Sequence, residues 1–107
     1  MATFHLHLVS DSTGETVSSV ARAALAQFEH AQAEEHVWSL IRTQGQMEKL
    51  IASLDTHPGV VMFTLVNAEM RDTLRKACDA RRIPCISVLG NVVSALSGYL
   101  HEEASGT

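Results

Sequence analysis

Four short apolar runs alternate with longer segments whose apolar residues recur at helical spacing, and this alternation strongly constrains the fold. The runs cover residues 4–9, 36–41, 60–66 and 85–89. The third run is continuous, β-branched and aromatic, which is typical of a strand buried on both faces. Strands separated by helices run parallel, and their crossovers are right-handed. The sequence therefore predicts an α/β three-layer sandwich with a four-stranded parallel sheet in the order βαβαβαβα.

The connecting segments fit a Rossmann-like or flavodoxin-like fold, for which we favour the strand order 2-1-3-4. The first helix should place one apolar face on the sheet, formed by Val17, Val20, Ala21, Ala24, Leu25 and Phe28. Residues 29–35 are predicted to be a polar connection. Asn67 is a good N-cap for the third helix. The last helix carries Val92, Val93, Leu96, Tyr99 and Leu100.

Length, charge and cysteine content limit the class of protein. The 107 residues suit one domain, which we place at residues 1–101, with residues 102–107 as the start of an interdomain linker. A net charge of −4 argues against a nucleic-acid surface. The apolar runs are far shorter than the roughly 18 residues of a membrane span. Only two cysteines, Cys78 and Cys85, are present, which favours a reduced, cytoplasmic setting without disulfides.

The turn between the first strand and the first helix is the best candidate site. In open α/β sheets, ligands bind beyond the carboxyl ends of the strands. The loops at that edge contain seven candidate anion- or interface-binding residues: Ser10, Asp11, Ser12, Thr13, Gly14, Arg42 and Thr43. Asp11 is the catalytic candidate, and Arg42 is the cation of these loops that could hold a phosphate or carboxylate. Alternatively, Ser12 and Glu15 form a capping box, either alone or together with binding.

Several sharper motifs are missing from the sequence. Only Gly14 is present where a dinucleotide fingerprint needs three glycines. The phosphate-cradling GxxxxGK[ST] loop is also missing, because Leu50 follows Lys49 and Ala77 follows Lys76. We therefore predict no cofactor for this segment by itself.

The histidines do not point to a metal site. His5 and His7 share one face of the first strand, and the sequence shows no third ligand at a suitable spacing. A packed or hydrogen-bonded pair without a metal is the favoured interpretation. The other histidines, His30, His36, His57 and His101, are expected to be solvated.

The opening motif resembles a known family. It consists of Phe4-His5-Leu6-His7-Leu8-Val9-Ser10-Asp11-Ser12-Thr13-Gly14-Glu15-Thr16, followed by Ala21-Arg22-Ala23, Arg42-Thr43, the strand 60–65 and Tyr99-Leu100. Together these segments resemble the pyruvate, phosphate dikinase regulatory proteins, a family that also includes the phosphoenolpyruvate synthase regulatory proteins. The resemblance spans nearly the whole chain.

The resemblance implies a bifunctional serine/threonine kinase and phosphorylase. Such an enzyme transfers a phosphoryl group from ADP to a threonine of pyruvate, phosphate dikinase or phosphoenolpyruvate synthase, and removes it with phosphate, releasing pyrophosphate. Family members are longer and carry their phosphate-binding loop in a C-terminal domain. This chain is then the N-terminal domain, inactive by itself, and its partners are the target enzyme and its own C-terminal domain, with a homodimer left open. The alternative functions are a non-catalytic module that senses a small anion and a dimerisation module.

Overall fold

The computed structural model describes residues 2–104, and strands and helices alternate throughout this range. The elements are β1 (Ala2–Ser10), α1 (Glu15–Leu25), β2 (Ala31–Trp38), α2 (Gln44–Thr56), β3 (Gly59–Thr64), α3 (Ala68–Ala80), β4 (Cys85–Ser87) and α4 (Gly90–Leu100). The predicted linker lies partly outside the described residues, at positions 105–107. Within residues 2–104, no helix combines the length and the apolar character needed to cross a membrane.

All four strands are parallel and lie in the order β2-β1-β3-β4, which confirms the predicted sheet. The central strand β1 pairs with β2 on one side and β3 on the other, so that Leu8 lies between Val37 and Met62. The strand order reverses direction between β1 and β3, because β2 lies on one side of β1 and the later strands lie on the other. Ligands of such sheets bind at this switch point, beyond the carboxyl ends of the strands.

Each face of the sheet has its own apolar core. On one face, Leu6 and Leu8 pack against Val17 and Ala21 of α1. On the other face, the strands and the two helices α2 and α3 form a larger cluster: Val9, Val61 and Phe63 from the sheet, Met47, Leu50 and Leu54 from α2, and Leu74 and Cys78 from α3. Burying a side chain such as Leu8 contributes about 1.5–3 kcal/mol, so these two layers fix the strands relative to one another.

The second strand differs from its prediction at both ends. It was predicted at residues 36–41, after a polar connection at residues 29–35, but β2 runs from Ala31 to Trp38. β2 is an edge strand, so its polar residues Gln32 and Glu35 face solvent without interrupting the ladder with β1. Hydrophobic periodicity is weak in such a strand, and the predicted start therefore fell late. This difference brings residues 31–35 into the sheet beside β1.

Two helices bury less of their apolar face than predicted. In α1, Val17 and Ala21 are buried, but Val20 is exposed, and Phe28 lies beyond the end of the helix at 64% exposure. Helix α4 forms as predicted, yet within the described part of the chain none of its residues is buried. Its apolar residues Val92, Val93, Leu96, Tyr99 and Leu100 are all exposed. The third and fourth strands are also shorter than predicted, ending at Thr64 and Ser87.

Candidate active site at the carboxyl edge of the sheet

The corner between β1 and α1 is held by its own backbone and by Ser10. The buried hydroxyl of Ser10 accepts a hydrogen bond from the Ser12 N–H at 3.0 Å. Gly14 is the N-cap of α1 and has a φ of 87°, a left-handed conformation that glycine adopts without strain. Among the residues that the structure describes, no side chain forms a capping hydrogen bond to α1, so the capping box predicted for Ser12 and Glu15 is wrong. The left-handed turn at Gly14 starts the helix without it.

A capping box forms instead at the start of α2. The Thr43 hydroxyl accepts from the Gln46 N–H at 3.2 Å, and the Gln46 side chain accepts from the Thr43 N–H at 3.0 Å. The same Gln46 oxygen accepts from the Arg42 N–H at 2.7 Å. Thr43, which was predicted to bind an anion or an interface, therefore caps α2, and its partner Gln46 also holds the backbone of Arg42.

Hydrogen bonds join the first two loops at one rim, as predicted. The Leu40 N–H donates to the Ser12 carbonyl at 2.9 Å, and the Ile41 N–H donates to the Ser10 carbonyl at 3.0 Å. The Arg42 Nε donates to the Asp11 carbonyl at 3.0 Å. Arg42 therefore lies directly beside the hydroxyl-rich corner.

The carboxylate of Asp11 ties this corner to the loop after β3. Its Oδ2 accepts from the Val66 N–H at 2.9 Å. The next residue, Asn67, caps α3 as predicted, because its side-chain oxygen accepts from the Met70 N–H at 2.9 Å. Three loops are thus joined around an open cavity of about 380 Å³, lined by Asp11, Ile41, Arg42, Val66, Asn67 and Met70.

Chemically, this cavity suits the recognition of an anion. Within residues 2–104, the hydrogen bonds of the Arg42 guanidinium engage only Nε, which leaves its two terminal nitrogens for a carboxylate or phosphate. The Asp11 carboxylate in the same lining would repel such a group, and the Val66 N–H that it binds offsets part of its negative charge. Asp11 is therefore an anchor of the rim as well as a catalytic candidate.

A second cation, Arg71, stands at the same edge and was missed by the sequence analysis. It borders two adjoining cavities of about 490 and 480 Å³ between α3 and α4, which also share Ser87, Gly90 and Ser94. The distance of Arg71 from the predicted N-cap of α3 could have revealed it from the sequence. Arg71 lies four residues after the N-cap Asn67, in the first turn of a helix that starts at the carboxyl edge. Its neighbour one turn later, Arg75, lies 5.6 Å over the Phe63 ring.

The remaining predicted residues lie on the α1 side of the corner. Ser12 and Thr13 are exposed, whereas Gly14 is buried. Thr13 and Gly14 border an open cavity of about 310 Å³ at the start of α1, together with Glu15, Ser18, Ser19 and Arg22. The structure thus brings six of the seven candidates, Ser10 to Gly14 and Arg42, to one rim. The seventh, Thr43, caps the start of α2 next to Arg42.

The histidines form a cluster at the opposite, amino-terminal half of the sheet, and several expectations about them are wrong. His36 and His57 are half-buried rather than solvated. His5 and His7 are packed and hydrogen-bonded as expected, but through other residues: both rings pack on His36, and His5 Nδ1 lies 2.9 Å from its Nε2. His36 was misplaced because β2 was predicted to start at this residue, whereas it lies well inside the strand. His30 and His101 are exposed, as expected.

Both ring nitrogens of His7 are occupied within the core. Its Nε2–H donates to the His57 carbonyl at 2.8 Å, and its Nδ1 accepts from the Trp38 indole N–H at 3.2 Å. This pattern requires the neutral imidazole. Burial lowers the pKa of His7 below its ordinary value, and this effect outweighs the opposing bond to the His57 carbonyl.

Comparisons with known proteins agree on one family. The family model described as kinase/pyrophosphorylase matches residues 6–107. A protein of Paramagnetospirillum magneticum named "Putative pyruvate, phosphate dikinase regulatory protein" is 55% identical over 105 residues, which cover 98% of this chain and 34% of the relative. Proteins of the same name from Erythrobacter litoralis and a Chelativorans species are 46% and 45% identical, over 99% and 91% of this chain and 38% and 36% of their own lengths. The chain, which spans little more than a third of these relatives, belongs to the kinase/pyrophosphorylase family.

Proposed function

We propose that the intact protein regulates pyruvate, phosphate dikinase by phosphorylating a threonine of that enzyme with ADP and by removing the phosphoryl group with phosphate, releasing pyrophosphate. The observation that carries the proposal is the sequence identity of 45–55% to proteins named as regulators of this dikinase, over nearly the whole chain. The family description, kinase/pyrophosphorylase, supports both directions of the reaction. The names of these relatives favour the dikinase over phosphoenolpyruvate synthase as the target.

The chain described here is proposed to supply recognition rather than nucleotide chemistry. Its sequence contains no GxxxxGK[ST] loop, since neither Lys49 nor Lys76 is followed by serine or threonine. The relatives are almost three times as long as the aligned region. The binding sites for ADP and for the transferred phosphate would then lie in the remaining part of the protein, and the 107 residues would transfer no phosphate by themselves.

The carboxyl edge is the part of this chain that we assign to the reaction. Arg42 and Arg71 lie on the loop before α2 and in the first turn of α3, and both face open cavities at this edge. Arginine binds phosphate in a bidentate manner and remains charged at all physiological pH values. We propose that these two arginines bind the negatively charged groups of the target segment, including the phosphothreonine when the enzyme is dephosphorylated.

The apolar face of α4 supports the assignment of a further contact within the intact protein. Val92, Leu96 and Leu100 are 56%, 54% and 59% exposed, and Tyr99 is 85% exposed. A run of large apolar side chains on one helix marks an interaction surface. The occupant we propose is the rest of the same polypeptide, because about two thirds of each similar relative lies outside the aligned region. A second copy of the chain is the competing occupant.

The test uses the intact protein with purified pyruvate, phosphate dikinase and ADP, and measures phosphothreonine on the dikinase by mass spectrometry. We expect one phosphorylated threonine and loss of dikinase activity, both reversed by adding phosphate, with pyrophosphate as a product. Phosphoenolpyruvate synthase in place of the dikinase is the control for target choice, and the 107-residue chain is the control for the division of labour. Absence of phosphothreonine with the intact protein would refute the proposed activity, and phosphorylation by the 107-residue chain would refute the division of labour.

A further inference from the structure

The histidine cluster consists of the buried His7 and the half-buried His5, His36 and His57. It contains side chains for which neither the fold nor the proposed function gives a use. In the parallel ladder of β1 and β2, His5 pairs with Glu34 and His7 pairs with His36. Residues that pair in this way point to the same face of the sheet. The register therefore places His5, Glu34 and His36 together on the face covered by α2 and α3.

Three potential metal-ligand atoms converge there. His5 Nδ1 lies 2.9 Å from His36 Nε2 and 3.5 Å from Glu34 Oε2. One ligand atom from each of the three residues lies within 4.8 Å of the other two. In a tetrahedral zinc site with bonds of about 2.0–2.1 Å, neighbouring ligand atoms are about 3.3 Å apart. Shifts of a few tenths of an ångström between His5 and His36, with a change of the Glu34 rotamer, would give three ligands around one ion.

We propose that His5, Glu34 and His36 bind one divalent transition-metal ion, with Zn²⁺ as the best fit. Two imidazoles and one carboxylate are a ligand set that zinc, nickel and copper accept, whereas Mg²⁺ and Ca²⁺ prefer oxygen ligands. The ion takes the place of the single proton that the two facing ring nitrogens of His5 and His36 otherwise share, and that proton moves to the second nitrogen of the same ring, so both imidazoles bind as neutral ligands. Its fourth position is open to water, because the side chains of His5 and Glu34 are 28% and 64% exposed.

The surroundings hold the proposed ligands in place. The His7 ring is fixed by its two hydrogen bonds and stacks on His36, with ring centroids 4.7 Å apart and an interplanar angle of 17°. The His57 ring packs against both metal-binding imidazoles, at centroid distances of 4.9 Å from His5 and 5.0 Å from His36. His7 has no free ring nitrogen and is therefore a positioning residue, not a ligand.

A metal at this position would stabilise the sheet rather than take part in phosphoryl transfer. His5 pairs with Gly59, the first residue of β3, whereas the candidate active site begins beyond Ser10 at the other end of the strands. The ion would link the edge strand β2 to the central strand β1. Binding to the folded protein alone raises the melting temperature in proportion to the logarithm of the free metal concentration once the site is saturated.

The experiment compares zinc binding by the intact protein and by two ligand variants, Glu34→Gln and His36→Gln, after removal of metals with a chelator. His30→Gln is the matched control, since His30 is exposed and lies just before β2. Calorimetry with ZnCl₂ measures the number of sites and their affinity. Co²⁺ absorption reports four-coordinate geometry, and the melting temperature without metal shows that each variant folds.

We expect each ligand variant to lose one zinc equivalent, or to bind it at least about tenfold more weakly, because even outer-shell changes cost about 10- to 100-fold. The His30→Gln protein should bind like the wild type, and Zn²⁺ should raise the melting temperature of both. Unchanged zinc stoichiometry and affinity in Glu34→Gln, whose exposed side chain leaves folding intact, would overturn the proposal. Absence of any zinc binding by the wild-type protein would overturn it as well.

Discussion

The hydrogen bond from the Val66 N–H to Asp11 allows a test of whether Asp11 stabilises the loops at the carboxyl edge, takes part in catalysis, or does both. We consider the substitutions Asp11→Ala, which removes the acceptor, and Asp11→Asn, which keeps an uncharged one. A hydrogen bond to a charged group contributes about 1.5–3 kcal/mol. Water replaces part of this bond after truncation, because Asp11 is half-buried and Val66 is 50% exposed. We therefore expect Asp11→Ala to lower the free energy of unfolding by about 1–2 kcal/mol.

Asp11→Asn should cost about half as much, since a neutral hydrogen bond has roughly half the strength of a charged one. The assay is urea unfolding of the 107-residue chain, followed by the fluorescence of Trp38, which is its only tryptophan. The midpoint should fall while the slope stays constant. The control is Glu48→Ala on the exposed surface of α2, expected to lie within about 0.5 kcal/mol of the wild type.

Two results would show that Asp11 does not anchor the rim through this bond. One is an Asp11→Ala protein as stable as the Glu48→Ala control, which would mean that the bond to Val66 contributes nothing. The other is an Asp11→Asn protein as unstable as Asp11→Ala. Phosphoryl transfer by the intact variants adds a second comparison, because a carboxylate that also acts on the substrate would lose activity in both variants, whereas a pure anchor would retain it in Asp11→Asn.

Two further predictions concern the amino-terminal half of the sheet and α2. Burial lowers the pKa of His7 in the folded protein, so the unfolded chain binds a proton at this residue more readily. The free energy of unfolding should therefore keep its full value above the ordinary histidine pKa of about 6.5 and fall as the pH drops below it. In His7→Gln, urea titrations across this range should show a shallower fall, and an unchanged profile would contradict the assignment. Gly59→Ala would drive its Cβ into the backbone carbonyl of His5, whereas the Cβ of Gly45→Ala enters open space within α2. We expect Gly59→Ala to destabilise by at least about 1–3 kcal/mol and Gly45→Ala to stabilise by about 0.5–1 kcal/mol; equal melting temperatures would contradict this contrast.

The sequence predicted the sheet well because the buried strands carry a strong local signal. The continuous apolar run at residues 60–66, which forms most of β3, can be buried on both faces, and the helices between the strands leave only parallel pairing. The shared rim of Asp11 and Arg42 follows from the same topology, since all the carboxyl ends of parallel strands meet at one edge. Residues that are far apart in the chain were therefore placed together correctly without any contact information.

The features that sequence reasoning missed depend on tertiary context. The start of β2 is polar because an edge strand has a solvated face, so the register that brings Glu34 and His36 beside His5 was not visible. The Ser12 and Glu15 pattern fits a capping box, but the left-handed conformation of Gly14 sets the start of α1 instead. The apolar pattern of α4 predicted a helix correctly, and its exposure could not be foreseen, because periodicity identifies an apolar face without showing what covers it.

Anion recognition by Arg42 and Arg71 is tested by the phosphate-dependent dephosphorylation of the dikinase by intact protein carrying Arg42→Ala or Arg71→Ala, with Lys49→Ala on the exposed surface of α2 as the control. Loss of a charged bond of about 1.5–3 kcal/mol corresponds to about a 10- to 100-fold change. We expect kcat/KM for the phosphorylated dikinase to fall by this factor in both arginine variants and to stay at the wild-type value in Lys49→Ala. Wild-type kcat/KM in both arginine variants would contradict the assignment of anion recognition to the carboxyl edge.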